Sequence, residues 1–400
     1  MKKKILITGA VVLVAAAVIL GFILKNQVRE NTDSTAVNVD IGQWDTTQNE
    51  SQNYWNPDNH AVAKGMGGYY FIQTTDGISK IAFFDETTQE AVAVCAKPEC
   101  THSDNTCNAY LCDMKQTGSA LYLTDTIYCY NGYLYLIQCE GGMGKLVRIH
   151  TDGSARETIA DLFANTGVSS ISLVFHENDV YAYDDTGHAG QEEEAEEVIK
   201  KISLTDGTEQ TVFSYTGTGA SIDRGRSFGD KLYFVIREYT KNKETKVVSS
   251  DYKGLFEYDF ATGDTRKVID ADVCDYHADT ENQMLFYFVQ GTGLYAYDMT
   301  QGSNTLIYPS EDELIQCKMS YDGKNLYLFN NGAGRATETK ARTQRYCYVL
   351  DTKGNQIAKI LCNGVVYFGD TDYLFEENAD NLEYMKKENL SDKSEWIQVN

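Results

Sequence analysis

Leu255-Phe256-Glu257-Tyr258-Asp259-Phe260-Ala261-Thr262-Gly263-Asp264 and Leu294-Tyr295-Ala296-Tyr297-Asp298-Met299-Thr300-Gln301-Gly302-Ser303 are two copies of one pattern. Each is a run with apolar and aromatic residues at alternate positions, ending in Asp with a Gly four residues later. Such alternation puts every second side chain on one face of a strand. The Asp and the Gly supply a reversal: the carboxylate accepts local backbone amides, and Gly adopts positive φ without cost. The unit is therefore a strand running into a hairpin turn.

Weaker copies occur at Val147 to Ser154, with the turn Thr151-Asp152-Gly153, at Ile202 to Thr208, with Thr205-Asp206-Gly207, and at Tyr348 to Asn355, with Asp351-Thr352-Lys353-Gly354. Ile81 to Gln89 keeps the strand and Asp85 but has no Gly, and Tyr373 to Val399 reads as one more worn copy. An aromatic strand opens each unit, as in Gly68-Tyr69-Tyr70-Phe71, Lys231-Leu232-Tyr233-Phe234 and Asn325-Leu326-Tyr327-Leu328. The turn glycines at 153, 207, 263, 302 and 354 are 54, 56, 39 and 52 residues apart. A four-stranded propeller blade needs about 40–50 residues, with insertions falling in its loops. No long stretch after the N-terminal region has helical period. Three Pro in 400 residues suit a chain of paired strands, since each Pro removes a ladder donor. The expectation is an all-β chain forming one propeller of about seven four-stranded blades, with six or eight as the alternatives.

The Leu-Tyr-x-Tyr-Asp and Thr-Gly signature resembles bacterial surface propellers of the low-density-lipoprotein-receptor-like and TolB-like kind. It covers residues 60–400 loosely. The resemblance implies the architecture and no particular activity. No Trp-Asp pair falls within the repeat units, and the chain has no sialidase-type box.

The N-terminus reads differently. Lys2, Lys3 and Lys4 precede an uncharged run from Ile5 to Leu24, and Lys25 and Arg29 follow it. Twenty helical residues span about 30 Å, the thickness of a bilayer core. The division expected is a cytoplasmic tail at 1–4, a membrane-spanning signal anchor at 5–24, a polar stalk at 25–53 and a propeller at 54–400. The lysines favour a cytoplasmic N-terminus, with the bulk of the chain outside the cell. A cleaved signal peptide and a buried soluble helix are the competing readings; no small-x-small cleavage site adjoins Leu24.

The chain carries a net charge of −23. Residues 1–29 hold five cations and no acid, which leaves 30 cations against 58 acids beyond them, a balance of −28. Phosphate recognition needs clustered cations, so nucleic acid is excluded as a partner. Gln191 to Glu197 holds five Glu and reads as a solvated loop insertion.

All ten cysteines lie beyond the anchor, where an exterior location permits disulfides. Four cluster as Cys95-x4-Cys100-x-His102-x4-Cys107-x4-Cys112, in a Cys-rich insertion at 95–120 between the first and second units. Three readings stay open. Cys95, Cys100, Cys107 and Cys112 form two disulfides, with three connectivities allowed; or Cys95, Cys100, His102 and Cys107 bind a metal such as Zn²⁺ tetrahedrally; or the thiols are free. The exterior location favours the disulfides. Cys347 and Cys362 form a further candidate pair if Gly354-Asn355 is a two-residue turn; a turn at Lys353-Gly354 makes them diagonal neighbours instead. In Cys129-Tyr130-Asn131-Gly132-Tyr133, Asn-Gly predicts a type I′ turn with Tyr130 opposite Tyr133, Cys129 opposite Leu134 and Cys139 opposite Thr124.

No motif demands a cofactor, and the six His form no metal-binding pair. The Asp-Gly turns offer oxygens to Ca²⁺, but their carboxylates are too sparse for a calcium loop, and they read as hairpin turns. The leading functional expectation is a non-catalytic module binding a protein, peptide or glycan at the cell surface. An exterior enzyme with acids at the propeller mouth, and a metal- or redox-responsive protein built on the Cys-His loop, are the alternatives.

Overall fold

In a computed structural model, the residues described are 52, 61–113, 115, 121–122, 126–164, 171–184, 194–241, 248–311, 314–330, 344–378 and 381–399. They belong to one compact unit within residues 43–400. The expected tail and anchor lie outside them, as does the expected stalk except for Gln52. Among the described residues no helix is long and apolar enough to cross a membrane.

The described strands form seven antiparallel sheets, each drawn from consecutive chain. The blades span residues 62–113, 121–164, 171–218, 220–269, 273–309, 318–362 and 365–398, numbered 1 to 7 here. Inner strands of neighbouring blades touch, as Val273–Asp279 of blade 5 and Lys318–Tyr321 of blade 6 do. The chain is thus an all-β, seven-bladed propeller.

The turns repeat the chemistry read from the sequence. Asp259 Oδ1 accepts the amides of Ala261 and Thr262 at 2.8 and 2.9 Å, and Asp298 Oδ1 accepts those of Thr300 and Gln301 at 2.9 Å. Gly263 and Gly302 follow with φ of 77° and 68°. Asp85 does the same for Thr87 and Thr88, which is how that unit turns without its Gly.

Burial falls from the axis outward. Every residue of Ala220–Phe228, the inner strand of blade 4, is buried, whereas Glu209–Thr218, the outer strand of blade 3, is largely exposed. An inner strand has one edge without a strand partner, and its peptide groups still need hydrogen bonds. Side chains supply them. The Tyr128 hydroxyl accepts the Leu173 amide at 3.1 Å, and the Tyr183 hydroxyl accepts the Gly225 amide at 2.7 Å. Gln52, counted with the stalk by sequence, is buried against blade 3. Its side-chain amide donates to Phe175 O and accepts from Phe175 N, both at 2.9 Å.

Among the described residues no strand is exchanged between blades 1 and 7. Their joint is apolar and aromatic: Tyr69, Phe71 and Phe84 pack with Tyr367, Tyr373 and Phe375, and the Tyr69 and Phe375 rings meet edge-on at 4.8 Å.

Three expectations change. The acidic run is not wholly a loop, because Glu194–Ser203 is a strand of blade 3, with Glu194 opposite Thr218 and Glu197 buried. Its ladder partner overrides the local charge. Cys139 faces Leu121 instead of Thr124, because the inner strand of blade 2 is split into Leu121–Tyr122 and Tyr128–Tyr130. The predicted turn itself holds: Asn131 and Gly132 have φ of 48° and 77°, and Tyr130 faces Tyr133. The Cys-rich insertion is also partly blade. Ala91–Ala93 and Tyr110–Asp113 both pair with Ile78–Asp85, so the chain leaves the outer edge of blade 1 at Val94 and returns to it at Tyr110.

Candidate functional site

The first candidate lies where blades 6, 7 and 1 meet. It is a pocket of about 580 Å³, floored by Asp322, Tyr327 and Lys387 and edged by Glu86, Asp372 and Lys386. Asp322 and Asp370 each precede the second strand of their blade by three residues, and both serve as turn acceptors. Asp322 Oδ1 accepts the amides of Lys324 and Asn325 at 3.0 and 2.8 Å, and its Oδ2 accepts the Tyr327 hydroxyl at 2.7 Å. Asp370 Oδ1 accepts the Asp372 amide at 2.9 Å and the Tyr69 hydroxyl at 2.8 Å.

Two lysines answer these acids. Lys387, almost fully buried, lies 3.3 Å from Asp322 Oδ2, donates to Asp370 O, and stands 4.0 Å over the Tyr327 ring. Lys64 bridges Glu86 at 2.5 Å and Asp370 at 3.0 Å. Burial pulls the Lys387 ammonium below its ordinary range, against the pull of Asp322 and Asp370. Burial alone would raise Asp370, but the Asp372 amide, Lys64 and the Tyr69 hydroxyl bring it below the usual carboxylate range. Burial, with Asp370 next, drives the Tyr69 phenol well above its ordinary value, so it stays a neutral donor. The floor is a set of fixed charges already paired within the protein.

The two carboxyls pushed up by burial stand elsewhere. Asp223, raised to about 6, pairs with Arg237 at 2.8 Å, and Glu376, raised to about 7, accepts the Asn363 amide at 3.1 Å. Neither lines the 580 Å³ pocket.

The second candidate is the Cys-His loop. The ligand atoms of Cys95, Cys100, His102 and Cys107 all lie within 4.8 Å of one another, with His102 Nδ1 3.3 Å from Cys107 Sγ. The Lys97 amide approaches Cys95 Sγ at 3.5 Å, the His102 amide bonds to Cys100, and the Ala109 and Tyr110 amides bond to Cys107. Cys112 is not in this group; it sits in the blade 1 ladder opposite Ser79. No two of the ten cysteines are joined by a disulfide in this structure. Cys347 faces Ile360, and Cys362 faces Arg345, so these two are diagonal neighbours and not opposite one another. Ile357, skipped between the pairs Val349–Ala358 and Leu350–Gln356, sets that register. A second group of ligand atoms, from Glu86, Asp370 and Asp372, converges at the first pocket, where Lys64 bridges Glu86 and Asp370.

The sequence singled out the Cys-His loop but none of the pocket residues. The one available signal was Asp322 and Asp370, each three residues before an aromatic strand. Lys64, Glu86 and Lys387 carry no local mark.

No protein family profile matches the chain, and no curated protein is recognisably similar to it. Several solved structures are similar to it. An oligogalacturonate lyase in complex with manganese is 11% identical, covering 83% of this chain and 86% of its own, with a TM-score of 0.47. BamB from Moraxella catarrhalis is 14% identical over 81% of this chain and 94% of its own, with a TM-score of 0.39. Saccharomyces cerevisiae Sqt1 is 10% identical over 86% and 97%, with a TM-score of 0.41. The likeness is to propeller architecture alone.

Proposed function

We propose that this protein is a non-catalytic binding module, held at the cell surface by residues 5–24, that takes a polar peptide segment at the pocket between blades 6, 7 and 1. One observation supports the reading above others: the acids flooring the pocket are engaged by Lys64, Lys387, tyrosine hydroxyls and backbone amides. A general acid needs a raised pKa, and the carboxyls raised by burial among the described residues, Asp223 and Glu376, do not line this pocket. The exposed rim carries Lys324, Asp372, Lys386 and Glu388, which alternate in sign. A mixed-charge rim over a rigid, internally satisfied floor complements a ligand bearing both charges, as a peptide does. The acidic exterior and the basic N-terminal end support the proposed topology.

The test uses the full chain in detergent against peptide and glycan libraries. Peptide binding that falls at least tenfold in Asp372→Ala/Lys386→Ala, but not in the distant Asp76→Ala, supports the reading. Binding to glycans alone, indifference to the rim substitutions, or a cleaved ligand found by mass spectrometry overturns it. Protease shaving of intact cells checks the topology: the propeller must be removed from outside.

A further inference from the structure

The Cys-His loop poses a problem of cohesion. Between Cys95 and Asn108, Ala96 to Glu99, Thr101 and Ser103 to Thr106 are exposed, and Cys107 alone is buried. A loop of this length has no apolar side chains with which to offset its ordering entropy. Yet it has a defined geometry, to the point of holding His102 at a φ of 56°, a left-handed conformation that costs a non-glycine residue about 1 kcal/mol or more. That conformation brings the imidazole back onto the sulfurs of Cys95, Cys100 and Cys107.

The four ligand atoms lie within 4.8 Å of one another. A tetrahedral Zn²⁺ with Zn–S bonds of about 2.3 Å sets its thiolates about 3.8 Å apart, so small side-chain rotations close the site. Each sulfur also accepts a backbone amide from two residues downstream: Cys95 from Lys97, Cys100 from His102, Cys107 from Ala109. Amide donors of this kind stabilise a thiolate and orient it for a cation. Three sulfurs are also the wrong number for disulfides. One bond would strand the third, and Cys112 stands outside the group.

We propose that Cys95, Cys100, His102 and Cys107 bind one Zn²⁺ in a closed, structural site. With four protein ligands it leaves no open position for substrate. Its placement gives it a role. The loop leaves and rejoins the outer edge of blade 1, and it rests on the hairpin of blade 2. Asn108 Nδ2 donates to Gly153 O at 2.8 Å, and Arg156 Nη1 to Tyr110 O at 2.8 Å. The metal staples the split outer strand and fixes the contact between the first two blades. The site is independent of the peptide pocket, which is on the other side of blade 1.

Metal analysis and native mass spectrometry of the full purified chain test this. One zinc per chain is expected, retained in Cys112→Ser and His102→Cys and lost in Cys100→Ser. Cobalt substitution should give the visible bands of a tetrahedral thiolate site. If Cys100→Ser fails to fold, wild type answers instead: a chelator must release zinc and expose three thiols to alkylation together. Zinc absent, with sulfurs released only by a reductant or already reactive as isolated, overturns the proposal. So does zinc retained in a folded Cys100→Ser.

Discussion

Arg226 and Asp275 meet between the inner strands of blades 4 and 5: Arg226 Nη1 donates to Asp275 Oδ1 at 2.7 Å, and both side chains are shut off from water. The pair does more than neutralise itself. Arg226 also donates to Tyr276 O and, at 2.9 Å, to Met319 O, while Asp275 Oδ2 accepts the Met319 amide at 2.7 Å. Two charged side chains thus satisfy peptide groups on the open edges of blades 5 and 6. A bulge precedes Arg226: Asp223 and Arg226 pair with Val235 and Tyr233, so Arg224, at a φ of 59°, and Gly225 stand opposite Phe234 alone.

Breaking this pair from one side leaves a buried charge without its partner. Arg226→Met is expected to cost about 3–5 kcal/mol. Combined with Asp275→Asn it should cost less than the sum of the two single changes, because the orphaned charge is gone. Urea unfolding at neutral pH measures both; strict additivity would refute the coupling.

Among the described residues the first and last blades share no strand, so the polar contact between them should show in stability. Tyr69 reaches Asp370 across 301 residues at 2.8 Å. Tyr69→Phe keeps the ring in the blade 1–blade 7 joint and removes only the hydroxyl. A loss of about 1–2 kcal/mol is expected, since a charged acceptor loses its donor. A Tyr69→Phe protein unfolding at the wild-type midpoint would rule this out.

Gly153 and Gly263 occupy equivalent turns with φ of 75° and 77°. A Cβ on Gly153 would stand 2.5 Å from Val94 O and 2.9 Å from Cys95 Cα, whereas one on Gly263 would come no closer than 3.8 Å to Tyr258 Oη. Both Ala variants carry the left-handed strain of about 1–2 kcal/mol. Gly153→Ala should cost at least about 1 kcal/mol more, by forcing backbone off the Cys-His loop. Equal midpoints in thermal melts would show that the contact yields freely.

Glu376 makes stability fall with rising pH. Burial, against the pull of the Asn363 amide, raises its carboxyl from 4.5 to about 7. Between those values the folded state binds more protons than the unfolded chain. The contribution is therefore complete below about pH 4.5 and lost as pH rises through 7, on the order of 3 kcal/mol in all. Asp223, raised to about 6, acts in the same direction. Glu376→Gln should melt higher than wild type at pH 8 and close to it at pH 5. Melting curves that stay parallel across that range would exclude the effect.

The blades were legible because their signals are local. Asp259-x-x-x-Gly263 and Asp298-x-x-x-Gly302 mark turns through bonds within five residues, and alternation marks the strands that precede them. The acidic strand Glu194–Ser203 was misread as wholly loop because its pairing with Glu209–Thr218 is a tertiary fact that charge density conceals. Cys139 was placed opposite the wrong residue because the break after Tyr122 cannot be seen from the hairpin that follows it.

The sequence by itself determined a repeating antiparallel chain and a cluster of three cysteines and a histidine within thirteen residues. Only the tertiary structure decided the number of blades, the joint between the first and last of them, and the pocket there. Lys64, Asp322, Asp370 and Lys387 come from positions more than 300 residues apart at the extremes. What selects them is the closing of the ring, which buries their charges together and obliges each to find a partner.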